Sequence, residues 1–245
     1  MRVFADGRRG RRGLAAFGFD CVVFDGGTGS LRDRIDQCYQ FIAGLRATGA
    51  AEATEDVALF GYSAGGLIAR GLVRAYPQAA VTAIFQLAAP NAGIVTDDPR
   101  GIVRRIHFER SVLEDLDMES SFLTWLNGTP GHWETGPRGR GRRWTLDAKP
   151  WITAPNTPIL NVAGRVPRYD YHSDGVVLVE SATLNAALPH RFIDGRRANH
   201  LNLGGTWNPL TFVLRGWLSD DELWPRAVDA AAELFAPAPS AGKQR

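Results

Sequence analysis

Two kinds of segment alternate along the chain. Short apolar runs rich in β-branched or aromatic residues predict strands at Cys21–Asp25 (CVVFD), Asp56–Phe60 (DVALF), Val81–Leu87 (VTAIFQL), Pro158–Val162 (PILNV) and His190–Ile193 (HRFI). Between them lie stretches with helical spacing. Leu31–Leu45 places Ile35, Cys38, Ile42 and Leu45 on one helix face, and Ser63–Tyr76 places Leu67, Leu72 and Tyr76 in a similar way. Strands alternating with helices predict an α/β fold whose mostly parallel sheet is covered by helices on both faces.

The alternation stops between Thr96 and Pro150. Gly101–Asn127 predicts helix, with Ile102, Ile106, Val112, Leu113, Leu116, Phe122, Leu123, Trp125 and Leu126 supplying its apolar faces. Gly128–Arg143 is rich in Gly and Arg and predicts a long loop. A helical and irregular cap insertion at about 96–150 is therefore expected within a single domain spanning 1–235. Asp220–Leu234 predicts a helix with Leu223, Val228 and Leu234 facing inward, and residues 236–245 a disordered tail.

The chain has 245 residues, 44% of them apolar, and its 12 Phe and 7 Trp exclude disorder as the main state. No apolar run approaches the roughly 18 residues of a transmembrane segment. Met1–Asp20 lacks the apolar stretch of a secretory signal, so the chain as written is expected in the cytoplasm. Cys21 and Cys38 are too few for a disulfide framework and lack metal-ligand spacing, which predicts free buried thiols. Net charge is +2, and the densest basic run, Arg138–Arg143, contains no aromatic residue. A solvated loop rather than a nucleic-acid surface is expected there. The sequence indicates no oligomeric state.

The candidate chemistry begins at Gly61-Tyr62-Ser63-Ala64-Gly65-Gly66, which follows the predicted strand DVALF and opens a predicted helix. That is the setting of a G-x-S-x-G nucleophile elbow. So sharp a strand-to-helix turn strains the backbone at the serine and crowds its neighbours, so a Cβ at Gly61 or Gly65 would clash. Ser63 Oγ then stands at the carboxyl edge of the sheet, where the helix N-terminus favours a developing negative charge. The N–H of Ala64, the residue after the serine, is the expected oxyanion donor. A serine hydroxyl needs a base. His107, His132, His172 and His190 lie in the insertion, a polar loop or the start of a strand. Only His200 follows a late strand by a short loop, where the base belongs when chain order runs Ser, acid, His. The acid should follow the preceding strand, where Asp174 and Asp170 are both candidates; Gly175 permits a tight turn aiming Asp174 at the sheet edge. Asp25-Gly26-Gly27-Thr28-Gly29-Ser30 lacks the Gly-Lys-Ser/Thr ending of a phosphate loop and reads as a turn with Thr28 or Ser30 as helix cap.

On these motifs the chain resembles the α/β-hydrolase superfamily, and within it the bacterial lipases and esterases. GYSAGGLIAR is similar to that group's elbow and following helix, and Leu87–Gly93 (LAAPNAG) to its turn after the next strand, with Asn91 where His is usual. Leu116–Asn127 (LDMESSFLTWLN) resembles its cap-region segment, SDGVVLVESA its acid-bearing loop and ANHLNL its histidine loop, so the resemblance spans roughly Phe19–Leu203. It implies a serine hydrolase that cleaves small-molecule or lipid esters through an acyl-enzyme, with the triad Ser63, Asp174 and His200 and no cofactor. Tyr62, Phe122 and Trp125 are the expected substrate-binding residues; Phe122 and Trp125 either wall an acyl pocket with Phe108, Leu113 and Trp133 or form the insertion's own core. Some members bind structural calcium through an Asp where this chain has Asn202, so no metal is expected. The family also carries an apolar strand ending in His-Gly that gives a second oxyanion donor, and His-Gly occurs nowhere here. Met1–Phe17 reads best as the helix after that strand, which puts the strand upstream of Met1. In the alternative, Arg2–Asp6 is the strand and Gly7 or Arg8 the donor. An acyltransferase, a thioesterase or a truncated non-catalytic homologue would share the same motifs.

Overall fold

The computed structural model describes residues 2–5, 20–48, 57–95, 109–135, 142–169, 172–195, 198–203, 230 and 232–234. Its strands are β1 (Arg2–Ala5), β2 (Asp20–Val22), β3 (Val57–Tyr62), β4 (Val81–Leu87), β5 (Gly131–Thr135), β6 (Arg142–Leu146), β7 (Ile159–Arg165) and β8 (His190–Asp194). Its helices are α1 (Leu31–Ala47), α2 (Ala64–Ala75), α3 (Arg110–Leu116), α4 (Ser121–Asn127), α5 (Val179–Thr183) and α6 (His200–Leu203). Six strands form one sheet in the order β2-β1-β3-β4-β7-β8, every neighbouring pair parallel. The expected α/β architecture is present. β3 and β4 are apolar almost throughout because both faces of the sheet are covered. Val57, Leu59 and Ile84 join a core with α1, α2, α3 and α4, whereas Ala58, Phe60, Phe85 and Leu87 join Ile193, Leu203 and Ala230 on the other side.

α1 buries the face that its spacing predicts: Leu31, Ile35, Cys38 and Ile42. It starts at a capping box, in which Ser30 Oγ accepts from Asp33 N–H and Asp33 accepts from Ser30 N–H. A further N–H of its first turn, that of Leu31, donates to Asp115 of α3 at 2.6 Å, which fastens the insertion to the helix. Burial pushes the Cys38 thiol up to about 12, so it is inert filling rather than a reactive group.

Three expectations change. First, of the two readings of the N-terminus the structure takes the alternative, with the strand within Arg2–Asp6 and not upstream of Met1: Arg2–Ala5 pairs with β2 on one side and β3 on the other. Only four residues long and opened by an arginine, it is a poor strand pattern, which is why the segment reads more readily as helix. Residues 6–19 still give the dozen or so residues that a crossover between parallel strands needs. Second, the described part of the insertion is not one helix. α3 ends at Asp117 and α4 begins afresh at Ser120, whose hydroxyl accepts from Leu123 N–H. Third, part of the predicted long loop is an antiparallel hairpin, β5–β6, in which Trp133 faces Trp144. Residues 101–108 lie outside the described residues, as do Arg138–Gly141 and the 236–245 tail. Of the helix expected at 220–234, residues 230 and 232–234 are described and are helical.

The hairpin is closed at one side by His132, whose Nδ1 lies 2.6 Å from Asp147 and Nε2 3.4 Å from Glu134. The hydrogen bond to Asp147, with the charge of both acids, raises the His132 pKa above the ordinary imidazole value. The clasp therefore contributes fully below that ordinary value and is lost as pH rises through the raised one. A His132 titration followed by NMR should have its midpoint above that of a free imidazole, and Asp147→Asn should bring it back down. An unmoved midpoint in Asp147→Asn would remove Asp147 as the cause.

Candidate active site

Ser63 alone links β3 to α2, and its backbone takes the unusual values φ 52° and ψ −126°. A non-glycine residue held there stores on the order of 1–3 kcal/mol of strain. The turn survives because its neighbours leave no alternative. A Cβ on Gly61 would overlap the carbonyl group of Gly65 and approach Gly66 N to 2.5 Å, and one on Gly66 would approach Ala89 Cβ to 2.5 Å. Ser63 N–H donates to Leu87 C=O at 2.9 Å, which pins the serine to β4. Its side chain makes no helix cap. It lies 2.9 Å from His200 Nε2 instead. Ala64 opens α2, so its N–H has no acceptor within the helix.

His200 Nδ1 lies 2.8 Å from Asp174 Oδ2, and both side chains are almost fully buried. A carboxylate only accepts, so Nδ1 carries the proton and Nε2 turns its lone pair toward the serine hydroxyl. The acid is held by its own loop. Asp174 Oδ1 accepts from Val176 N–H at 2.9 Å and Val177 N–H at 2.8 Å, and Gly175 takes φ 96° to make that turn. His200 N–H in turn donates to Asp174 C=O at 3.0 Å. The structure thus brings Ser63, His200 and Asp174 into one hydrogen-bonded series. Asp170, the other acid candidate, lies outside the described residues, as do His107, Gly7 and Arg8. His132 is on the hairpin, His190 Nδ1 is on Leu188 C=O, and His172 is exposed.

Behind the elbow sits a polar web that the sequence pattern does not announce. Arg70 of α2 is 0% exposed and faces no carboxylate among the described residues. Its guanidinium donates to Ile152 C=O (3.0 Å), Trp151 C=O (2.6 Å), Asn91 Oδ1 (3.0 Å) and Asn127 Oδ1 (3.1 Å). Burial, with the nearby Arg74 charge, pulls its pKa down to about 9, which leaves it charged at neutral pH. Asn91 also donates to Gln86 Oε1 and Ala182 C=O, and Gln86 donates to Gly66 C=O at 2.7 Å. Asn91, in the turn after β4, is therefore a structural hub. The one signal in the sequence is Arg70 itself, a charge set within the apolar stretch Gly66–Val73 of α2.

No protein-family model matches the sequence, and no curated protein matches it significantly. Solved structures do resemble it. A lipase from Bacillus licheniformis in its mature form matches with a TM-score of 0.57 at 13% identity, over 87% of this sequence and 90% of that one. A carboxyl esterase of metagenomic origin gives 0.61 at 12% identity, over 95% and 75%. Phospholipase PlaB from Legionella pneumophila gives 0.53 at 15% identity, over 96% and 63%. The chain has the α/β-hydrolase fold. Within it, the sheet's carboxyl edge carries all three buried or strained groups, which is where open α/β sheets bind ligands.

Phe122 and Trp125 pack on the core that α3 and α4 share with α1 and α2. Phe122 is 1% exposed within it. Trp125 packs beside Gly71, eight residues beyond Ser63 and so about 12 Å along α2, and lies between Arg32 and Arg74. Trp125 is thereby a packing contact between α4 and the helices α1 and α2. Tyr62 does stand at the site, but its hydroxyl donates to His200 C=O at 2.7 Å. Among the described residues no group of three or more His, Cys, Asp or Glu is placed to hold a metal, and no helix is long and apolar enough to cross a membrane.

Two substitutions separate packing from chemistry. Phe122→Ala should cost about 3–5 kcal/mol of stability, read in chemical denaturation, without changing the site. Arg70→Met keeps the volume but orphans buried acceptors, each costing about 1–3 kcal/mol. Its thermal midpoint should fall by at least several degrees, and Arg70→Lys, which lacks the planar fork, should not restore it.

Proposed function

We propose that the chain is a serine hydrolase that cleaves carboxylic esters. The observation that carries the reading is the continuous series of hydrogen bonds from Ser63 Oγ through His200 to Asp174, at 2.9 and 2.8 Å. The fold shared with a lipase, a carboxyl esterase and a phospholipase supports it.

In this reading Ser63 Oγ attacks the acyl carbonyl while His200 Nε2 takes the hydroxyl proton. Asp174 holds the imidazole in the required tautomer and stabilises the imidazolium without becoming protonated. The negative charge on the former carbonyl oxygen falls beside the first turn of α2, where Ala64 N–H donates to it. His200 then gives its proton to the leaving alkoxide. A water, deprotonated in the same way by His200, attacks the acyl-Ser63 ester; as the acyl–oxygen bond breaks, His200 returns the proton to Ser63 Oγ and the carboxylic acid is released. The buried His200–Asp174 pair makes the charge separation feasible, because it is already dry and needs no solvent rearrangement.

A fluorophosphonate probe tests this directly. The folded protein should be labelled at Ser63 and Ser63→Ala should not. Hydrolysis of short p-nitrophenyl esters should fall by roughly 10⁴-fold in Asp174→Asn and at least as much in His200→Ala. A folded protein that takes no label would sink the proposal.

A further inference from the structure

Tyr62 occupies the second position of the elbow, and its side chain turns to the histidine loop. Its hydroxyl donates to the backbone carbonyl oxygen of His200 at 2.7 Å, across 138 residues of sequence. Its ring lies 5.3 Å from the imidazole at 36°. His200 is the first residue of α6, which has four residues. A single helical turn is too short to hold its own first residue in place. Something else must do so, and the structure offers two fastenings. The His200 N–H is fixed by Asp174 C=O at 3.0 Å, and its C=O by Tyr62.

We propose that Tyr62 is the positioning residue for the general base: its hydroxyl sets where His200 Nε2 sits relative to Ser63 Oγ. The inference rests on the hydrolase reading above. The geometry favours it over a substrate-binding role in two ways. The phenolic proton is committed to a backbone acceptor. Tyr62 is also the last residue of β3 and is covalently joined to Ser63, so the strand that fixes the nucleophile fixes the base as well. Nucleophile and base are thereby referred to one dipeptide, although they lie 137 positions apart. Phenylalanine would keep the ring against the imidazole and remove the hydrogen bond to His200, which leaves a backbone carbonyl beside the reacting groups without this donor.

The test is Tyr62→Phe in the full-length protein, with Tyr39→Phe as control; Tyr39 stacks on Tyr76 at the edge of α1, away from the serine. The lost hydrogen bond should lower both kcat and the fluorophosphonate labelling rate by the same factor, about 2- to 12-fold. KM should stay unchanged for short and long acyl groups, and the control should match the parent. In the NMR spectrum the His200 Nδ1–H proton should exchange with water faster in Tyr62→Phe than in the parent. Parental kcat and labelling in Tyr62→Phe would overturn the proposal. So would a lowered melting point with an unchanged labelling rate, which marks a merely structural hydroxyl. A KM that rises with acyl length at constant kcat would overturn it in favour of substrate contact. A parent protein that takes no label overturns the hydrolase reading instead. The Nδ1–H comparison then decides Tyr62 by itself: unchanged exchange refutes the positioning role and faster exchange supports it.

Discussion

The buried guanidinium of Arg70 constrains more of this molecule than any other group. Taking a cation out of water without a carboxylate beside it costs several kcal/mol unless neutral acceptors replace its hydration. Here they come from three directions: Asn91 in the turn after β4, Asn127 at the end of α4, and the backbone at Trp151 and Ile152. None of these belongs to α2 itself. The helix can therefore be buried only if the insertion and the turn after β4 are docked on it. The same docking holds the elbow, because Asn91 holds Gln86, whose side-chain amide donates to Gly66 C=O, in the first turn behind Ser63. A serine at φ 52° is strained, and strain of that kind persists where the surroundings over-determine the backbone. The web and the crowded glycines supply that over-determination.

Ser63, Asp174 and His200 are fixed by three different means, each suited to the role proposed for it. Ser63 is set by a forced turn and has a side chain free of any cap, so its hydroxyl is available. Asp174 is set by two of its own loop's N–H groups on one oxygen, which leaves the other oxygen for His200. His200, on a helix of four residues, has little local support and is held from outside on both its backbone groups. A carboxylate can be organised by three consecutive residues because it only accepts. An imidazole must be placed at both nitrogens at once, which needs partners from two separate elements.

What the sequence made legible follows from where information is local. The apolar runs of β3 and β4 and the apolar face of α1 announce themselves because each is buried along its whole length. The elbow is legible for the same reason: Gly61, Ser63 and the α2 start are adjacent in sequence. Asp174 and His200 were reachable by chain order, since each follows its strand by a short loop. β1 was legible only as the weaker of two readings, because four residues between two partner strands need no pattern of their own when the pairing supplies the stability. The β5–β6 hairpin hid behind Gly and Arg, its Trp133–Trp144 pair being visible only once the register is known. Phe122 and Trp125 read equally as pocket wall and as core, since an aromatic residue has the same pattern in both.

The sheet consists of two parts that meet at a single strand pair. Ser63 belongs to the part built from β1, β3 and β4, whereas Asp174 and His200 belong to the part built from β7 and β8. The β4–β7 pairing, Ile84 opposite Ile159 through Leu87 opposite Val162, therefore determines whether Ser63 and His200 come within hydrogen-bonding distance. In sequence the insertion lies between these two strands, so every error in docking it would be transmitted to the site. The junction is reinforced for that reason at several depths. Ala88 N–H donates to Val162 C=O at its edge, and the amides of Asn91 and Asn161 converge on Ala182 C=O beneath it. Tyr62 reaches across to His200 at the top. A sub-ångström slip at the strand pair would be amplified at the serine if the loops above moved freely. With the hydroxyl of Tyr62 in place, the distance that matters is fixed at the site itself rather than inherited from the sheet below.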